Sequence, residues 1–264
     1  ETFAANVMGT VHVLDACRKT DSVNAIVAIS SDKCYENREQ TAGYREDDPM
    51  GGYDPYSASK GCTELVISSY RRSFFNNDEF GIKHHPLLAS GRAGNVIGGG
   101  DWATDRLVPD IMKAAAKGGT VTIRNPRATR PWQHVLEPLS GYLALGGKLL
   151  EGKTQFACGW NFGPSGEGNI CVEKVTSALA EEWDQIKIKF DPPADAPHEA
   201  GLLALDCSKA AKELAWHGVW SAEETFRRTA KWYRKFYTEG IITTGEDLDA
   251  YIASAEKKNL SWTK

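Results

Sequence analysis

The run Ala25-Ile26-Val27-Ala28-Ile29 constrains the fold of this chain most. A strand half exposed to water would alternate polar with apolar residues, and a buried helix would be longer. Five consecutive apolar residues therefore predict a strand over 24–31 that is covered on both faces, as in a parallel sheet. Parallel strands need long crossovers, usually helical, and the rest of the sequence supplies them. Strand signals recur at 86–92 (ending at Arg92), 120–124, 134–136, 160–162 and 186–190. Between them fall predicted helices over 2–18, 56–74, 106–117, 137–150, 171–184, 208–215 and 221–237. Val7, Val11 and Leu14 keep helical register in the first. Cys62, Leu65, Val66, Ser69 and Tyr70 form the expected packing stripe of the second. Strands alternating with helices indicate an α/β fold with a parallel sheet.

The 264 residues suffice for one large or two small domains with cores of their own. A net charge of −4 argues against nucleic acid or an anionic membrane as the main partner. No apolar run approaches a membrane span, and no signal peptide is evident. Six scattered cysteines without C-x-x-C spacing read as reduced, buried thiols of a cytoplasmic protein. His12, His84, His85 and His217 show no metal-ligand spacing, so no metal is expected, and His84-His85 reads as a solvated loop. Trp216 and Trp220 read as packing for the last helices.

Chemistry concentrates where the first strand ends. Ser30-Ser31-Asp32-Lys33-Cys34-Tyr35 closes it, a loop rich in Gly, Pro, Asp and Glu covers 35–55, and Tyr56-Ser57-Ala58-Ser59-Lys60 opens a helix. Tyr56 and Lys60 are four apart and share one helix face. A tyrosine titrates near ~10, so it serves as a base at neutral pH only where a neighbouring ammonium favours the phenolate. Tyr-x-x-x-Lys alone is a weak signal; its place after a buried strand and a Gly/Pro-rich loop strengthens it. Asn95-Val96-Ile97-Gly98-Gly99-Gly100-Asp101 is a second dense segment, readable as a turn or as backbone brought close to a ligand.

These residues resemble the extended branch of the short-chain dehydrogenase/reductase superfamily. The resemblance rests on Tyr56-x-x-x-Lys60 with its upstream serine and on Asn6-Val7-Met8-Gly9-Thr10. Longer strings are similar to the CDP-glucose 4,6-dehydratase family: Asp32 to Tyr35, Gly51 to Ser57, Arg92 to Trp102, Arg130 to Glu137, Trp160 to Pro164 and Pro197 to Ala200. The resemblance implies a Rossmann-type doubly wound parallel sheet, truncated at its N-terminus, with a smaller C-terminal α/β substrate-binding lobe. It implies residues 1–93 as the remainder of an NAD-binding domain and 94–264 as mainly a nucleotide-sugar lobe, with 132–164 returning to the first. It implies NAD as cofactor, CDP-glucose as substrate and a homodimer or homotetramer as the assembly.

The same resemblance implies roles. Tyr56 would take the proton of the sugar 4-hydroxyl, Lys60 would lower the tyrosine pKa and bond the nicotinamide ribose, and Ser31 would bond the 4-oxygen. Asp32 would protonate the departing 6-hydroxyl, and Lys33 would be the base at C5. Family members acting on dTDP-glucose carry a glutamate where Lys33 stands. A lysine acts as a base only when its pKa falls well below ~10.4, which burial and a second cation favour. A charged substrate ligand or a salt-bridge partner is the alternative for Lys33. Asn95, Arg106, Arg130, Asn161 and His198 would contact the diphosphate or nucleotide, Arg130 by a bidentate fork. The chain departs from the pattern in lacking the Gly-rich turn that holds a dinucleotide pyrophosphate. An exposed sheet edge, low stability and weak NAD binding are expected on that ground. Gly91, within a strand, is a further departure. Two other readings remain at this point: another epimerase, dehydratase or reductase of the same branch, and a non-catalytic nucleotide-sugar-binding protein.

Overall fold

The computed structural model describes residues 1–164, 169–191 and 202–263. A π-helical turn, Ala4–Met8, runs into α1, Gly9–Cys17, and β1, Ala25–Ile29, follows. Next come a 3-10 turn, Asp32–Cys34, the long α2, Pro55–Ser73, and β2, Leu87–Ala93, with β3, Asn95–Ile97, directly after. Then α3, Leu107–Ala116, β4, Thr120–Ile123, β5, Thr129–His134, α4, Leu136–Leu150, and β6, Gly159–Phe162. The remainder is β7, Asn169–Cys171, α5, Val172–Glu182, β8, Lys187–Phe190, α6, Ser208–Glu213, α7, Ala222–Glu239, and α8, Thr244–Lys257.

The chain divides into two compact units. The first comprises 1–94, 139–162 and 204–216, and the second 95–138, 163–203 and 217–264. The first is built on a parallel sheet in the order β1-β2-β6, with Ile29 opposite Gly91 and Gly91 opposite Trp160. All seven residues of β2 are buried. Leu87 and Ala89 pack with Leu145, Leu149, Trp160, Phe162 and Trp216. The alternate residue Leu88 packs with Leu14, Ile26, Ile67 and Phe75. Successive side chains of a strand point to opposite faces, so this sheet has apolar cover on both, the arrangement of a Rossmann-like fold. The two-faced burial expected of β1 belongs instead to β2. In β1 only Ile26 is buried and Ile29 is 46% exposed, because among the described residues β1 pairs on one side only.

The second unit holds two small sheets among the described residues. In β3-β5-β7 the first pair is parallel and the second antiparallel, and β4 pairs with β8 in parallel. Its core joins Ile97, Ile111, Met112, Trp132, Val175, Leu179, Trp183, Phe226 and Tyr233. The helix α7 carries its own boundary signals. Ser221 caps it by accepting from the Glu224 amide at 3.2 Å, and Gly240 ends it at φ +72°.

Several local expectations change. The buried positions of α2 are Ser57, Ser59, Gly61, Thr63, Glu64 and Ile67, while Leu65 is 60% exposed. Of the expected stripe, Val66 and Tyr70 pack against the core, but the fully buried face is made of Ile67, small residues and one charged residue. The Gly98–Gly100 segment packs closely against Trp232 within the second unit. A Cβ on Gly99 would stand 2.1 Å from Trp232 Cδ2, and Gly100 takes φ +83°. Gly91 is likewise required, since a Cβ there would meet the Tyr142 ring at 2.7 Å. His84 is half-buried, with its ring nitrogens on the Pro86 and Asn76 carbonyls, so only His85 is solvated. All six cysteines are free thiols, but only Cys34 is fully buried. Helix α8 was not expected from the sequence: Tyr251 and Ala255 are its only buried residues, too narrow a face to read as a stripe.

His134, at the end of β5, makes acid stability measurable. It is buried, its Nδ1 accepts from the Leu136 amide at 3.3 Å, and its ring meets Trp220 edge-on. Burial, with the Arg228 charge adding to it, pushes its pKa down to about 4 from an ordinary 6.5. Between those values the unfolded chain binds more protons, so the contribution is complete above the unfolded pKa and is lost as pH falls through the folded one. The shift corresponds to ~3 kcal/mol at most. Urea denaturation at about pH 7 and about pH 4 should show His134→Gln losing less stability on acidification than the unsubstituted protein, by up to that amount. Equal losses in both would remove His134 as the cause.

Candidate active site

Ser31 caps the 3-10 turn that follows β1. Its Oγ accepts from the Lys33 amide at 3.2 Å and donates to Asp32 Oδ1 at 2.9 Å. Asp32 is buried, and Ser31 and Lys33 are half-buried. Helix α2 starts where Asp54 and Pro55 dictate. Asp54 Oδ1 accepts from the amides of Tyr56 and Ser57 at 2.9 and 3.0 Å, Asp54 Oδ2 accepts from Ser57 Oγ at 2.5 Å, and Pro55 sits in the first turn. Partial burial acts against the Asp54 carboxylate, but Ser57, the Tyr56 amide and the Lys33 ammonium outweigh it and hold its pKa below the usual range. The cap fixes Tyr56 in the first turn, where the helix dipole favours negative charge.

Tyr56 is 44% exposed, and Lys60 Nζ stands 5.8 Å from its ring centroid. Burial holds the Lys60 ammonium below the ordinary lysine range, opposed by the Glu64 carboxylate. Three glycines join this helix to the turn. The Gly51 amide donates to the Cys34 carbonyl at 2.9 Å. A Cβ on Gly52 would lie 2.2 Å from the Ala58 nitrogen, and one on Gly61 would lie 2.7 Å from the Gly51 carbonyl. Only glycine allows backbones to stack this closely. The first unit therefore brings Ser31, Asp32, Lys33, Tyr56 and Lys60 together.

Beneath them lies a buried polar network. Arg92 Nη2 and Glu64 Oε2 form an ion pair at 2.9 Å, with side chains 5% and 3% exposed. Glu64 also accepts from Ser30 Oγ and, at 2.9 Å, from Ser90 Oγ. Burial acts against the Glu64 carboxylate, yet Arg92 and the two hydroxyls hold its pKa below the usual range. Arg92 Nη1 donates to Tyr35 OH at 2.7 Å and to the Glu46 carbonyl at 2.9 Å. Burial pushes the Cys34 thiol and the Tyr35 phenol up, so both stay protonated.

The other predicted site residues are placed differently. Asn161 is fully buried and its amide bonds within the first unit. Its Oδ1 accepts from Tyr35 OH at 2.7 Å, and its Nδ2 donates to the carbonyls of Tyr44 and Asp206 at 2.8 and 3.2 Å. Both amide donors are thereby used, so Asn161 holds the loop after Tyr35. Asn95, Arg106 and Arg130 belong to the second unit. Asn95 is half-buried on β3, Arg106 is exposed at the start of α3, and Arg130 is half-buried on β5 with Nη1 on the Thr129 carbonyl at 2.8 Å. His198 and the string around it lie outside the described residues. Glu64 was not singled out from the sequence. Its signal was present: a carboxylate four residues after Lys60 on the same helix face. Among the described residues no cluster of His, Cys, Asp and Glu could hold a metal, and no helix is long and apolar enough to cross a membrane.

Comparison with known proteins gives concordant matches. A family model described as GDP-mannose 4,6 dehydratase matches residues 1–229. The CDP-glucose 4,6-dehydratase of Salmonella typhimurium (strain LT2) is 47% identical over 259 residues, covering 97% of this chain and 72% of that protein. A dTDP-glucose 4,6-dehydratase of Streptomyces antibioticus is 29% identical over 234 residues, covering 87% of this chain and 63% of that one. Among solved structures, the dTDP-glucose 4,6-dehydratase of Bacillus anthracis in complex with NAD superposes with a TM-score of 0.72 at 20% identity. It covers 90% of this chain and 69% of that one, a likeness of fold.

Proposed function

This chain belongs to the GDP-mannose 4,6 dehydratase family, and from that premise we propose that it converts CDP-glucose to CDP-4-keto-6-deoxyglucose and water, with NAD as cofactor. It is a lyase of deoxysugar synthesis. The observation that carries the reading is the single cluster formed by Ser31, Asp32 and Lys33 with Tyr56 and Lys60, stacked through Gly51, Gly52 and Gly61. The 47% identity to a CDP-glucose 4,6-dehydratase supports cytidine as the base.

The chemistry divides among these side chains. Bound NAD would supply a hydride acceptor for oxidation at C4 and a hydride donor for reduction at C6. Tyr56 and Lys60 suit the nicotinamide end, since one is partly exposed and the other half-buried at the start of the same helix. Tyr56 removes the 4-hydroxyl proton with the Lys60 ammonium stabilising the phenolate, and Ser31 bonds the 4-oxygen. The resulting ketone acidifies the C5 proton, which Lys33 removes, Asp32 protonates the departing 6-hydroxyl, and Lys33 returns a proton to C5 as C6 is reduced. Asn95, Arg130 and Arg106 in the second unit are assigned to the nucleotide and diphosphate, Arg130 foremost because a guanidinium matches two phosphate oxygens at once. His198 carries the same assignment by resemblance. A homodimer or homotetramer is the expected assembly, with α1 and α2, where Val13 and Leu65 are each 60% exposed, as the shared face. A cytoplasmic location is expected with it.

Incubation with CDP-glucose and NAD should yield a sugar nucleotide lighter by one water that carries a 4-ketone, read by mass spectrometry and by its absorbance in alkali. dTDP-, UDP- and GDP-glucose should be turned over on the order of 100-fold less efficiently, the discrimination that unmet hydrogen bonds in a base pocket can give. Recovery of an epimer, or of unchanged CDP-glucose, would reject the reading.

A further inference from the structure

The buried network has an arrangement that the reaction scheme does not use. The turn bearing Ser31, Asp32 and Lys33 is held at both ends by the two halves of one ion pair. Immediately before it, Ser30 Oγ donates to Glu64. Immediately after it, Tyr35 OH accepts from Arg92 at 2.7 Å. Glu64 and Arg92 are joined at 2.9 Å, and Glu64 stands on α2, the helix of Tyr56 and Lys60. The Tyr35 ring is fixed as well: it stacks on Tyr44 with centroids 5.3 Å apart, Arg92 lies 5.2 Å from its centroid, and its hydroxyl donates to Asn161 at 2.7 Å.

We propose that the Glu64–Arg92 pair clamps the Ser31–Cys34 turn to helix α2, and that Tyr35 is a positioning residue for the elimination half of the reaction. The inference rests on the dehydratase reading above. Tyr56 and Lys60 owe their place to the Asp54 cap and to the helix, neither of which involves the Tyr35 hydroxyl. Lys33 lies two residues from Tyr35, whereas Ser31 adjoins Ser30 at the other anchor. Releasing the Tyr35 anchor therefore displaces the base at C5 more than the group that bonds the 4-oxygen. Releasing the Ser30 anchor does the reverse.

The test uses Tyr35→Phe, which keeps the ring and both stacking contacts, and Ser30→Ala, a change at a half-buried position. Single turnovers of CDP-glucose with NAD in deuterium oxide are quenched and the sugars analysed by mass. For Tyr35→Phe the 4-ketohexose should accumulate, with deuterium entry at C5 and product release slowed on the order of 10- to 100-fold, while 4-oxidation stays within about threefold. Ser30→Ala should slow 4-oxidation the more. Amide exchange at Cys34 and Tyr35 should quicken in Tyr35→Phe without substrate present, a readout independent of turnover. Equal slowing of both halves, or of neither, in a wild type that makes product would overturn the clamp alone. A wild type that makes no 4-keto-6-deoxy product overturns the underlying reading instead.

Discussion

Tyr56→Phe should abolish measurable turnover while leaving the protein folded. The substitution removes one hydroxyl from a side chain that is 44% exposed, and the Asp54 cap that starts the helix binds the Tyr56 amide, not the ring. The fold therefore has little to lose. The reaction loses its first base, a contribution worth typically 10²–10⁴-fold, about 3–5 kcal/mol of barrier. No 4-ketohexose should form either, because the block precedes every later step. That separates this variant from one that loses only elimination. Lys60→Met should fall in the same direction, its effect concentrated below neutral pH where the phenolate needs most help. A Tyr56→Phe protein within tenfold of wild type would mean that another group takes the 4-hydroxyl proton.

Glu64→Leu should be among the most damaging single changes to stability. It leaves the Arg92 guanidinium, 4% exposed, without its carboxylate, and Ser30 and Ser90 without an acceptor. Removing one partner of a buried pair costs about 3–5 kcal/mol, because the remaining charge stays out of water. The double variant Glu64→Leu/Arg92→Met should recover a substantial part of that loss, since two apolar side chains of similar volume no longer bury a charge. Urea denaturation of the four proteins in the cycle measures this directly. Equal destabilisation in the single and double variants would place the loss in packing rather than in the unpaired charge.

The parts of this molecule legible in the sequence are those whose signals are local. Asp54-Pro55 announces the start of α2, Ser221 with Glu224 announces α7, and the apolar run 25–29 announces a strand. Tyr56 and Lys60 share a helix face by spacing alone. What the sequence concealed depends on residues far apart. Leu65 looked like core because it is apolar, yet α2 packs through Gly61 and Glu64, whose partners are Gly51 and Arg92. Gly98 to Gly100 read as a turn or as backbone brought close to a ligand, and the close neighbour the fold supplies to Gly99, Trp232, lies 133 positions away in the chain. Asn161 entered as a ligand contact by resemblance alone, and its bonds to Tyr35, Tyr44 and Asp206 could not be read from the sequence. Polarity shows that a residue needs partners, and only the fold says whether those partners are protein or ligand.

The central claim is that one small cluster both oxidises the sugar and eliminates water, with Lys33 serving the second step. The measurement that tests it most directly is incubation of CDP-glucose and NAD in deuterium oxide with the wild type and with Lys33→Met. The account predicts a 4-keto-6-deoxy sugar carrying deuterium at C5 from the wild type. From Lys33→Met it predicts a 4-ketohexose that retains its 6-hydroxyl and its C5 proton. A Lys33→Met protein that eliminates water at the wild-type rate, or a wild type that leaves the 6-hydroxyl in place, would contradict it.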